Sequence, residues 1–166
     1  CKGWYSFIGT LKARQNITTE MPGWDLEQTK KDAEHKWEKI LNTIQIKTNN
    51  KSLKRSFYSA LYHLALHPTN RTNENPLWKS KEPYYDDYYA IWDTFRATHP
   101  LFTLIMPEEQ IKMIRSLIDI YKHEGYMPDS RSGNSTGRTQ GGSNSDVIIA
   151  DAFVKGLKGI DYEEAF

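Results

Sequence analysis

The sequence has a single cysteine, Cys1, so no disulfide can close within the chain. It also lacks any apolar run near the ~20 residues needed to cross a bilayer; the longest, around Leu101 to Met106, is far too short for a membrane span. Charge of one sign is missing as well. Twenty-two Lys and Arg against 21 Asp and Glu leave a net +1, which argues for a soluble protein and against a nucleic-acid partner. His63, His67, His99 and His123 have no HExxH or related spacing, and no Asp-rich calcium loop occurs, so no metal ligand is expected within the chain. The leading residue is Cys rather than Met, with no basic region and apolar run behind it, so the start is expected to be processed or truncated. A lipid-anchored mature terminus is the alternative for a leading cysteine.

Aromatic residues are plentiful, with ten Tyr and five Trp among 166 residues. A chain of this length has room for one compact domain. Trp37, Ile40, Leu41 and Ile44 recur at i, i+3, i+4 and i+7, predicting a helix from Asp25, its cap, to about Ile44. Phe57, Leu61 and Leu64 predict a second helix from near Asn50 or Ser52 that stops by His67, before Pro68. Residues from Thr69 to Pro83 read as a loop, followed by a third helix near Tyr88 to Thr98 that Pro100 closes. Pro107 opens a fourth helix, with Glu108 and Glu109 favouring its dipole and Gly125 ending it. The polar segment from Pro128 to Ser145 is expected to be either a mobile surface loop or one held against something functional. A last helix runs from Ser145 or Asp146 to about Leu157, with Asp151 and Lys155 as a surface pair. Strand-like alternation is confined to Trp4 to Ile8, so the expectation is an all-α fold with at most a short extended segment at the amino terminus.

Two features bear on function. Four triplets, beginning at Asn16, Asn50, Asn70 and Asn134, have the Asn-x-Ser/Thr form of a glycan acceptor, which hints at a secretory route; chance in a Ser/Thr-rich chain is the alternative. Within Tyr88 to Leu101, Asp93 and Arg96 lie three residues apart on one helix face beside Trp92. Asp93 can accept hydrogen bonds from vicinal sugar hydroxyls, Arg96 can donate, and Trp92 can offer a ring face to a pyranose. The other reading is a structural Asp93–Arg96 ion pair with Trp92 in the core. The adjacent Asp86 and Asp87 read as loop or cap residues rather than a glycosidase pair.

The segment YAIWDTFRATHPLFTLIMP, Tyr89 to Pro107, resembles the signature of the glycoside hydrolase family 92 α-mannosidases. Further blocks agree in order: Ser6-Phe7-Ile8 with Ala13, Arg14 and Asn16, Glu20 to Trp24, Trp37, Phe57 to His63, Gly125 to Pro128, and Ile149 to Gly156. One departure is Ser130 to Ser145, longer here than the compact turn of many bacterial members. The resemblance implies part of an (α/α)6 toroid, residues 1–24 forming the linker into the catalytic domain and residues 25–166 the first part of that domain. It implies a calcium-dependent enzyme that removes terminal α-mannose, mainly α-1,2-linked, from N-glycans or mannans with inversion, outside the cell or in the secretory pathway. Asp93 is expected to bind the terminal mannose, with Trp92 and Arg96 shaping the pocket. No catalytic residue is expected within the chain; the acid, the base and the calcium ligands fall in later parts of the same polypeptide, so the isolated piece is expected to be inactive. The competing expectation is a non-catalytic carbohydrate-binding or helical interaction fragment.

Overall fold

The computed structural model describes residues 3–137 and 141–166; the expectation attached to Cys1, and part of the one for Pro128 to Ser145, lie outside them. The chain divides into two compact units, Cys1–Ala65 and Leu66–Phe166.

The first unit is helical. Helix α1, Thr10–Glu20, was not legible in the sequence: none of its residues is buried, so no apolar stripe announces it. Residues 4–8 join no strand, contrary to the alternation there. Helix α2, Leu26–Leu41, begins as expected, the Asp25 carboxylate accepting from the Gln28 N–H at 2.9 Å. Helix α3, Lys51–Leu64, is capped the same way by Asn50, which accepts from the Leu53 N–H at 3.0 Å. The two helices meet through Trp37 and Tyr62, whose ring centroids are 4.5 Å apart.

The second unit is mixed, and this corrects the all-α expectation to a mostly helical fold with two small antiparallel sheets. Strand β1, Thr69–Asn70, pairs with β2, Tyr85–Asp86. Strand β3, Tyr89–Ala90, leads into the one-turn helix α4, Ile91–Thr94, and then α5, Thr98–Ile105. The single helix expected over Tyr88 to Thr98 is therefore absent. Asp87 and Tyr89 take left-handed backbone angles, φ 59° and 51°, which no right-handed helix accommodates. Pro100 does not close a helix either; it sits in the first turn of α5, where an amide N–H has no intrahelical acceptor to lose. Helix α6, Pro107–Glu124, has its predicted bounds, and Gly125 ends it at φ 82° with its N–H bonded to the Tyr121 carbonyl at 2.7 Å.

Beyond α6 the polar segment forms a hairpin, β4, Ser130–Ser132, with β5, Ser135–Gly137, and β4 also pairs with β3. Helix α7, Asn144–Val154, carries the expected Asp151–Lys155 ion pair at 2.7 Å, and α8, Tyr162–Ala165, ends the chain. The core lies between α5, α6 and α7, where Phe102, Ile114, Leu117, Ile120 and Ile149 are fully buried. Each such side chain contributes roughly 1.5–3 kcal/mol relative to exposure. The long loop before β2 is tied onto α6: the Trp78 indole and the Ser80 hydroxyl both donate to the Asp119 carboxylate, at 2.8 and 2.9 Å.

Candidate functional site

The site is built on the reversal of the chain between β2 and α4. Three tyrosines, Tyr84, Tyr85 and Tyr88, point into the protein, and the Tyr88 hydroxyl donates to the Met113 carbonyl at 2.7 Å. Burial raises the pKa of all three, so they remain neutral donors. Tyr89, by contrast, is half exposed and begins the outward-facing run.

Beneath that run lies a buried charge network that the sequence did not disclose. Asp86, expected in a loop or cap, is fully buried in β2 and accepts from Arg71 Nη1 at 2.7 Å and from the Asn134 N–H at 2.9 Å. Arg71 also binds the Asp87 carboxylate. Arg131, on β4, is only 1% exposed; it donates to Glu124 at 2.8 Å and to the Tyr84 hydroxyl at 3.0 Å, and it also binds Thr136. Its Nε stands 3.2 Å from Asp86 Oδ1 without hydrogen-bond alignment, so that contact is charge against charge. Two arginines facing three carboxylates thus pin the hairpin to β2. The only advance signal was the presence of arginine, at 131 and again at 138, in a Ser/Gly/Asn run.

The pinned hairpin positions α4. The Ile91 N–H donates to the Asp129 carbonyl at 3.1 Å, and the Ile91 side chain is fully buried. The next residues therefore face outward: Trp92 is 48% exposed, and Asp93 and Arg96 are exposed. No ion pair joins Asp93 to Arg96, and the Asp93 carboxylate has no partner among the described residues. The Arg96 guanidinium instead lies 5.2 Å from the centre of the Phe95 ring. Gly141, at φ 82°, packs its backbone on Trp92; a Cβ there would stand 2.6 Å from the tryptophan Cγ. Only glycine meets both conditions. The Gly141 carbonyl in turn accepts from Asn144 Nδ2 at 2.7 Å, tying this backbone to the start of α7.

Five residues beyond α4, His99 is buried at the start of α5 and shares a 3.1 Å hydrogen bond with Gln110 Oε1. Burial lowers its pKa to about 4, so at neutral pH the ring is uncharged and its Nδ1–H donates to the amide oxygen. It supports α5 from within and cannot reach solvent. Among the described residues no group of three His, Cys, Asp or Glu is placed to hold a metal ion. The arrangement offers an uncommitted carboxylate and an apolar ring face on α4 and a guanidinium two residues beyond it, a set suited to a polyhydroxylated ring.

The family model described as the glycosyl hydrolase family 92 catalytic domain matches residues 12–166, and the chain belongs to that family. A relative from Arthroderma benhamiae, named as a secreted glycosidase, is 38% identical over 97% of this chain and 18% of its own length. The structure of a family GH92 inverting mannosidase from Bacteroides thetaiotaomicron superposes with a TM-score of 0.83 at 31% identity, over 96% of this chain and 23% of that one. The family GH92 glycosyl hydrolase CcMan5 shares the fold, with a TM-score of 0.75 at 22% identity over 96% of this chain and 23% of its own. The chain thus spans about a fifth of the length of the relatives it matches.

Proposed function

We propose that the complete protein hydrolyses terminal α-linked mannose, mainly α-1,2-linked in N-glycans or mannans, with inversion at the anomeric carbon, and that this chain supplies part of its substrate-binding wall. The supporting observation is the outward-facing segment of α4 and the residues just after it: Trp92, Asp93 and Arg96 are all exposed, and the start of the helix is tied to the Asp129 carbonyl beside the hairpin. Asp93 would accept two hydroxyl hydrogen bonds from the terminal mannose, Arg96 would donate, and Trp92 would cover an apolar patch of the ring. The general acid, the general base and the calcium ligands are assigned to other segments of the polypeptide. In an inverting mechanism the acid protonates the leaving oxygen while the base activates water across the ring, about 6.5–9.5 Å away. Secretion is consistent with the name of the fungal relative, and no described helix is long and apolar enough to cross a membrane.

Proton NMR of the first turnovers on an aryl α-mannoside tests this reading. β-Mannose is expected to appear before mutarotation mixes the anomers. Release of α-mannose first, or no release from any α-mannoside, would contradict it.

A further inference from the structure

The four acceptor triplets are not equivalent in the folded chain. Asn70 is committed at both ends of its amide: Oδ1 accepts from the Thr72 N–H and hydroxyl at 3.0 and 2.7 Å, and Nδ2 donates to the Tyr85 hydroxyl at 3.1 Å. Asn134 is half buried at φ 63°, its Oδ1 accepting from Tyr84 at 2.7 Å, and its triplet's Thr136 is bound to Arg131. Asn16 lies half buried within α1, and the Thr18 hydroxyl is turned back onto the Arg14 carbonyl at 2.9 Å.

Asn50 differs in each respect. It is exposed, Ser52 of its triplet is exposed, and only its carbonyl end is in use, capping α3 through the Leu53 N–H. Its Nδ2 has no partner among the described residues. An open groove of about 460 Å³, lined by Lys51, Lys54 and Tyr58, begins one residue on. N-glycosylation replaces one hydrogen on Nδ2 and leaves Oδ1 intact, so the cap, which contributes about 1 kcal/mol, survives the modification.

We propose that Asn50 is an N-glycan acceptor and that Asn70 and Asn134 serve the fold instead. The inference rests on the secretory reading above. In the transfer, the Asn50 Nδ2–C1 bond forms as the bond from C1 to the pyrophosphate oxygen of a polyprenyl pyrophosphate-linked oligosaccharide breaks. The pyrophosphate leaves with the electron pair, and the amide gives up one proton to a base. The oligosaccharide donor comes from the host's secretory membrane.

The test expresses the full-length protein in a eukaryotic host behind a heterologous secretion leader and maps glycopeptides by mass spectrometry. Most copies are expected to carry a glycan at Asn50 and few at Asn70 or Asn134. Asn50→Asp should remove one glycan mass while keeping the cap and the melting temperature, and Ser52→Ala should remove the same mass. Secreted protein with Asn50 unmodified, or with Asn134 or Asn70 occupied in its place, would overturn the proposal. Expression under the protein's native amino-terminal sequence tests the secretory reading separately: retention inside the cell would contradict that reading, whereas Asn50 occupancy is read from the first arm.

Discussion

At the scale of single residues, the behaviour of the molecule turns on groups whose charge or shape is fixed by burial. Arg131 heads the fully buried side chains by size among the described residues, and its partners come from two separate segments, Tyr84 and Asp86 at β2 and Glu124 at the end of α6. Removing it strands the Asp86 carboxylate beside a single remaining arginine. Arg131→Met is therefore expected to cost about 3–5 kcal/mol in urea unfolding of the full-length protein; a loss under about 1 kcal/mol would show the network to be dispensable. His99 gives a pH dependence whose sign follows from its lowered pKa. Between about pH 6.5 and about 4 the unfolded chain holds a proton on this ring and the folded chain does not, so stability falls on acidification through that window and the loss levels off below about 4. The full swing is roughly 3 kcal/mol. Chemical denaturation across that range should show His99→Gln losing this part of the slope, and identical slopes for both proteins would refute the assignment. None of this was legible in the sequence. Asp86 and Asp87 looked like loop carboxylates because their partners Arg71 and Arg131 lie 15 and 45 residues from Asp86, and no local pattern joins them.

At the scale of elements, the long periodic segments were read well and the short ones were not. Helix α6 has an apolar stripe, Pro107 at its first position and Gly125 at its end, and each signal agrees with the others. Gly125→Ala would hold a Cβ at φ 82° and should destabilise the protein by about 1 kcal/mol, with a lower thermal midpoint as the readout; an unchanged midpoint would show that the end of α6 relaxes freely. The stretch from Tyr88 to Thr98 failed as a helix because Tyr89 within it, and Asp87 just before it, adopt left-handed angles, a cost offset by tertiary contacts that periodicity does not carry. The hairpin β4–β5 was missed for a related reason. Its inward-facing residue is Arg131, so the alternation of apolar and polar residues that marks a strand is absent. The resemblance lay in Tyr89 to Pro107, which contains the outward turn of α4, whereas spacing alone favoured an Asp93–Arg96 ion pair with Trp92 in the core, and the structure shows no such pair.

At the scale of the whole molecule, membership of glycosyl hydrolase family 92 covers nearly the entire chain, and the relatives are about five times as long. The division of labour proposed for the complete protein puts a sugar-holding segment here and the acid, the base and calcium in other parts of the polypeptide. Its central claim is that the Asp93 carboxylate binds the terminal mannose. Two charge-assisted hydrogen bonds at about 1.5–3 kcal/mol each set the expected loss on their removal. The direct measurement is steady-state hydrolysis of an α-1,2-mannobioside by full-length wild-type and Asp93→Ala enzymes, with circular dichroism melts alongside. A fall in kcat/KM of about 100-fold or more with an unchanged melt is the predicted result. Unchanged kinetics in a folded variant would contradict the account.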